Sequence, residues 1–143
     1  MRRLSPQVLI DLLKLTGEQV NEYLQSLDPH AVGPIVSWAG PDPALMWLHV
    51  GGEYTERRHH QQQLREAVGR PLLTSVEWFA SVLATFIRGL PRTYGDVAAP
   101  EGTTIRITIS GASGGAWLVA RTESGWVLHA DETTEQNAYV TID

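Results

Sequence analysis

Four side chains able to bind a metal or transfer a proton recur along one stretch of the sequence. Read as a helix at about 100° per residue, this stretch places His49, Glu53, Glu56 and His60 within an arc of roughly 60°. Imidazoles and carboxylates on one face are the groups that build a divalent-metal site or an acid–base pair. A face built only for packing would be apolar, so this face is the candidate functional site.

The spacing also limits what this face can do. Glu56 and His60 lie one helical turn apart and can converge on one ion, as can His49 and Glu53. His49 and His60 would be about 16 Å apart along the axis, so the four cannot bind a single metal together. A catalytic zinc ion needs at least three protein ligands. The alternative is that these Glu–His pairs only stabilise an exposed helix, by a few tenths of a kcal/mol.

The composition argues against several classes of protein. The chain has 143 residues, of which 43% are hydrophobic and 19% charged, which is enough for a folded domain with a core. Its net charge of −5 does not supply the basic face that nucleic-acid binding needs. It has no cysteine, which excludes disulfides, thiolate-bound zinc and a thiol nucleophile from this chain. No apolar run approaches the roughly 20 residues of a membrane span, so we expect a cytoplasmic protein.

Cap and stop signals predict three helices that would carry the candidate site. The first begins at Ser5-Pro6 and ends before Asp28-Pro29, and an irregular connection follows over residues 29–41. The second starts at Asp42-Pro43 and runs to Gly69. The third starts at a capping box over residues 74–77 and ends at Gly89.

Two adjacent glycines, Gly51 and Gly52, lie in the middle of the second predicted helix. Each destabilises a helix by about 1 kcal/mol relative to alanine. We therefore expect a bend at this point, or the close approach of another backbone or of a ligand.

The hydrophobic period changes from helical to alternating after a linker rich in proline and glycine. Four strands are predicted, over residues 105–109, 116–121, 126–129 and 138–142, and we expect an antiparallel meander. The predicted class is therefore α+β, with a helical region over residues 1–92 followed by a small antiparallel β-sheet over residues 93–143.

The segment over residues 53–69, with its Glu-x-x-x-His spacing at Glu56 and His60, resembles the mycothiol-dependent maleylpyruvate isomerase-like branch of the DinB-like superfamily. The segments at Gly102-Thr103, residues 114–117, Gly125-Trp126 and residues 138–140 look like the small C-terminal domain that many members carry. The resemblance implies that the helical region is a half of the family's helical bundle.

The resemblance also implies a chemistry. Members hold a divalent metal, usually zinc, by a Glu-x-x-x-His pair and one further histidine from an earlier helix, and they use mycothiol or another thiol. Matched by position, Glu56 and His60 are the implied metal ligands, for zinc or nickel, and His49 or Glu53 a possible proton carrier. Nothing in residues 1–30 matches the third ligand.

Two functions follow as expectations. One is a metal-dependent transferase or isomerase that acts on a small electrophile with a low-molecular-weight thiol, in which the metal lowers the pKa of the thiol. The other is a non-catalytic ligand-binding or assembly module with an incomplete metal site. In both cases the expected partner is a small molecule, and neither nucleic acid nor a membrane is expected.

The apolar residues of the first two helices exceed what the third helix can cover. We therefore expect a homodimer in which the long helices of two copies pair and close a bundle, and a histidine of one copy could then approach Glu56 and His60 of the other. The residues concerned are Leu9, Leu12, Leu13, Val20, Leu24, Leu45 and Leu48.

Overall fold

The computed structural model describes residues 4–130 and 137–142, and it confirms the α+β class. Helices occupy the first two thirds of the described chain and a four-stranded sheet the remainder. The elements are α1 (Pro6–Ser26), β1 (Val32–Ile35), β2 (Pro43–Leu45), α2 (Met46–Ala67), α3 (Val76–Phe86), a 3-10 turn (Ile87–Gly89), α4 (Leu90–Thr93), β3 (Thr104–Ile109), β4 (Gly115–Thr122), β5 (Gly125–Ala130) and β6 (Ala138–Ile142). In the described part of the chain, no helix has both the length and the apolar character needed to cross a bilayer.

α1 has the predicted bounds. The Ser5 hydroxyl accepts a hydrogen bond from the Val8 amide at 3.3 Å, and Pro6 occupies the first turn, where its missing N–H does no harm. The helix ends at Ser26 because Leu27 is extended ahead of Asp28-Pro29. No residue of α1 is buried.

The start of α2 differs from the prediction. Asp42-Pro43 does not begin the helix, since Pro43–Leu45 instead pairs with Val32–Ile35 as a short antiparallel hairpin. α2 begins at Met46, and the amides of Met46 and Trp47 donate to the carbonyls of Ala31 and Pro29 at 2.8 and 2.9 Å. The preceding chain therefore satisfies first-turn amides that a side-chain cap would otherwise bind.

α2 and α3 pack through small and hydroxyl-bearing residues. A Cβ at Gly51 would lie 2.7 Å from the Thr85 hydroxyl, so a side chain of α3 approaches Gly51 rather than the backbone or ligand that the glycine pair predicted. The Thr55 and Thr85 side chains are buried, and each hydroxyl donates to the carbonyl four residues earlier at 2.8 Å. The buried apolar residues here are Leu48, Val82, Leu83 and Ile87.

The end of the helical region also differs from the prediction. Ser75, one residue after the predicted cap, precedes α3, and the chain does not leave the helical conformation at Gly89. The 3-10 turn leads directly into α4, because Pro91 lies in the first turn of α4, where proline is tolerated. A Cβ at Gly89 would lie 3.3 Å from the Trp38 ring, so Trp38 packs against this turn.

The sheet has the strand order β5-β4-β3-β6. β3, β4 and β5 form the predicted antiparallel meander, but β6 pairs with β3 in parallel, with Ile107 opposite Val140. The sheet is therefore mixed rather than wholly antiparallel. Alternation predicts a strand and its faces but not its neighbour, so the sequence pattern could not give this pairing.

One face of the sheet packs against the end of the helical region. Ile107, Val119 and Trp126 form the buried cluster, and Leu90 and Tyr94 pack on it from α4 and the residue after it. The Trp126 indole N–H donates to the Val97 carbonyl at 3.1 Å, so the linker is tied to the sheet as well.

The two central glycines of α2 should respond oppositely to the same substitution. Nothing lies within 4 Å of a Cβ at Gly52, so Gly52→Ala should stabilise the protein by about 0.5–1 kcal/mol through helix propensity. Gly51→Ala should lose that gain and destabilise by about 1–3 kcal/mol, because it displaces the buried Thr85. Urea unfolding of both variants measures the difference, and an equal gain at both positions would contradict the packing described.

Candidate functional site

Three of the four predicted site residues line one cavity. His49, Glu53 and Glu56 extend from successive turns of α2 into a cavity of about 240 Å³. The hairpin and the connection inside it close one side, and α3 closes another. The remaining lining residues are Val36, Trp38, Leu48, Gly52, Thr55, Thr85 and Phe86.

The imidazole of His49 is fixed by the hairpin. Its Nε2 lies 3.0 Å from the carbonyl oxygen of Pro34. A carbonyl can only accept, so Nε2 carries the proton and Nδ1 of the neutral ring is left as an acceptor. The ring also lies close to Gly33, where a Cβ would be 3.1 Å from Nε2. His49 is therefore a positioned base or ligand rather than a mobile surface residue.

The two carboxylates make the open side of the cavity acidic. Glu53 and Glu56 are exposed, and among the described residues that line the cavity none is a lysine or an arginine. Trp38 from the hairpin connection and Phe86 from α3 also line the cavity. The cavity thus combines carboxylate acceptors with aromatic surface, which suits a small organic molecule that carries hydrogen-bond donors or a positive charge.

His60 lies outside this cavity, next to its edge. Its Nε2 is 3.8 Å from Glu56 Oε2, and the two side chains are 66% and 73% exposed. An exposed pair of this kind stabilises a helix very little. The predicted face is therefore divided into a cavity with His49, Glu53 and Glu56, and an exposed pair formed by Glu56 and His60.

Gln63 orients the imidazole of His60. Its side-chain oxygen accepts from His60 Nδ1 at 3.0 Å, while its amide nitrogen donates to His59 Nε2 at 3.3 Å. With the proton on Nδ1, the Nε2 lone pair of neutral His60 faces the Glu56 carboxylate. This is how a metal-binding histidine is usually held, by a hydrogen bond from its other ring nitrogen.

The donor set for a metal is nevertheless incomplete. Two bonds of about 2.1 Å could span the 3.8 Å between Glu56 and His60. Within residues 4–130 and 137–142, however, no group of three or more histidine, aspartate or glutamate side chains is arranged to hold an ion. A protein zinc site needs three or four ligands, so these two residues can supply only part of one.

Comparison with protein-family models, with curated proteins and with solved structures finds no match for this chain. The resemblance to the DinB-like superfamily therefore stays a prediction.

Several residues of the site were not predicted from the sequence. Trp38, Thr85 and Phe86 line the cavity from the hairpin connection and from α3, and the Pro34 carbonyl binds the His49 ring. Gln63 is the exception, because it lies three residues after His60 on the same helix. A glutamine at that spacing is within hydrogen-bonding reach, so it could have been found from the pattern.

The hydrogen bonds predict different tautomers for two histidines. Neutral His49 should carry its proton on Nε2 and neutral His60 on Nδ1. Imidazole ¹⁵N shifts at about pH 9 report which nitrogen is protonated. In Gln63→Ala, His60 should revert to the ratio of the exposed His30, while His49 should not change. A wild-type His60 already indistinguishable from His30 would contradict the role of Gln63.

Proposed function

We propose that this protein binds a small organic molecule in the cavity beside α2. The observation that carries the proposal is the convergence of His49, Glu53 and Glu56 on one concave surface that also presents Trp38 and Phe86. A volume of about 240 Å³ is slightly below the roughly 300–1,000 Å³ of most ligand pockets, which favours a compact ligand. Glu53, Glu56, Trp38 and Phe86 are all exposed, so a ligand could reach the cavity from solvent.

The ligand would be oriented by groups with different roles. Glu53 and Glu56 accept hydrogen bonds or face a positive charge, whereas the free Nδ1 of neutral His49 accepts from a neutral donor. The Thr55 and Thr85 hydroxyls already donate within their helices, so they offer the ligand acceptor capacity only. These roles favour a ligand rich in donors over an anion.

The cavity can be tested by filling it. A fragment library screened by saturation-transfer NMR should give hits on the wild-type protein that Gly52→Leu abolishes, because the added side chain extends into the open space beside Gly52. Gln61→Leu is the matched control, since it adds the same side chain on α2 at a residue that does not line this cavity.

The proposal would be rejected if hits persisted in Gly52→Leu, or if Gln61→Leu removed them equally. Circular dichroism of both variants shows whether the helices are retained.

A second candidate is the metal- and thiol-dependent transferase or isomerase that the family resemblance implies. The specific observation in its favour is the orientation of His60, whose Nε2 faces Glu56 because Gln63 binds Nδ1. A divalent ion held there would lie at the open edge of the cavity. We assign no reaction step to such an ion, because the described residues provide two donors and not a complete set.

Metal binding is measured by zinc titration of chelator-treated protein, with elemental analysis of the product. If the second candidate is right, about one ion per chain binds, and His60→Ala removes it. Gln63→Ala should weaken binding by about tenfold or more, as expected for a residue that orients a ligand. His30→Ala is the matched control, because it removes an exposed histidine that lies outside α2.

Failure of the wild-type protein to retain zinc or nickel would exclude the metal-dependent candidate and leave the ligand-binding module. Equal effects of His30→Ala and His60→Ala would show that any binding is nonspecific.

A further inference from the structure

α1 presents an apolar surface far larger than the rest of the described chain covers. None of its 21 residues is buried. At about 100° per residue, its four charged side chains fall within an arc of about 80°, and the remaining surface is mostly apolar. The exposed apolar residues are Val8, Leu9, Ile10, Leu12, Leu13, Leu15 and Tyr23, and the charged ones are Asp11, Lys14, Glu18 and Glu22.

The chain partly covers one side of the C-terminal half of this helix. Gly17, Val20, Leu24 and Leu27 are half-buried, whereas residues 4–16 are exposed. The amide of Trp47 donates to the Pro29 carbonyl, which ties the end of α1 to the start of α2. The N-terminal half therefore projects with its apolar residues in contact with water.

The total surface area of the chain is larger than that of a compact protein of the same size. A compact protein of 143 residues exposes about 7,300 Å². This chain exposes 10376 Å², so the excess is roughly 3,000 Å². A stable interface of standard size buries about 800 Å² on each partner, and obligate dimers bury more. The excess is larger than one such interface needs, and the exposed apolar residues of α1 contribute part of it.

We propose that the occupant of the α1 face is the α1 helix of a second copy, packed antiparallel about a two-fold axis near Thr16. Thr16 is the middle residue of α1. Reversing the helix about it places Leu9 opposite Tyr23 and Leu12 opposite the exposed part of the half-buried Val20, so apolar residues meet apolar residues along the contact. A two-fold contact of this kind is self-complementary and closed.

The polar group at the axis does not oppose this packing. The Thr16 hydroxyl donates to the Leu12 carbonyl at 2.8 Å, so it is already satisfied within the helix when the face is covered. The charged residues point away from the contact, so no charge is desolvated by it. The contact face carries no charged residue, so it suits an apolar partner surface. The same face of a second copy is such a surface.

Sedimentation velocity of the full chain at micromolar concentration tests the proposal. The wild-type protein should be a dimer, and Leu12→Glu should raise its dissociation constant by about 100-fold or more, because the new carboxylate would be buried in the contact. Gln25→Glu is the matched control and should remain dimeric, since it adds the same charge on the exposed polar side. Helix content by circular dichroism should be unchanged in both variants, because both positions are exposed.

A wild-type monomer would overturn the proposal, as would a Leu12→Glu protein that stays dimeric. The position of the axis has its own test, because the chain has no cysteine. Under mild oxidation Thr16→Cys should form a disulfide-linked dimer, and Gln25→Cys should not. Equal linkage of the two variants would refute the axis at Thr16.

Discussion

The close approach of α3 to α2 at Gly51 is the contact on which the candidate site depends. Because Gly51 has no side chain, Thr85 lies against the α2 backbone, and the hydroxyls of Thr55 and Thr85 are satisfied within their own helices. Thr55 and Thr85 then face the same cavity from two elements. A larger residue at position 51 would push α3 away and remove one wall. The site therefore requires the packing of α3 on α2, because the acidic face of α2 becomes a cavity only beside α3.

Hydrogen bonds fix the hairpin and the α2–α3 connection relative to α2. The β1–β2 hairpin is joined to the start of α2 through Met46 and Trp47, which brings Pro34 within 3.0 Å of the His49 ring. At the far end of α2, Gln62 binds both the amide and the carbonyl of Leu73 at 2.8 and 3.3 Å, and so fixes the connection to α3. The helix pair is thus restrained at both ends.

Sequence signals within a few residues correctly predicted the bounds of α1 and the common face of three site residues on α2. The Ser5-Pro6 cap and the Asp28-Pro29 stop fixed both ends of α1, and a helical period placed His49, Glu53 and Glu56 on one face. The helix start predicted at Asp42-Pro43 was wrong, because residues 43–45 pair with β1 as a strand. This pairing involves residues about ten positions earlier, which a local pattern does not report. The parallel pairing of β6 and the contributions of Trp38 and Phe86 depend on residues distant in sequence, so spacing along one helix could not reveal them.

The division of the predicted face follows from helix geometry. Each turn of α2 advances about 5.4 Å, so His60, three turns after His49, lies beyond the part of α2 that the hairpin covers. His49 is therefore held by Pro34, whereas His60 is exposed and held only by Gln63. Glu56 lies at the division, because its side chain lines the cavity and also faces His60. Because Glu56 belongs to both, binding at the Glu56–His60 pair would affect binding in the cavity. An ion bound between Glu56 and His60 would neutralise part of the negative charge that a ligand meets in the cavity.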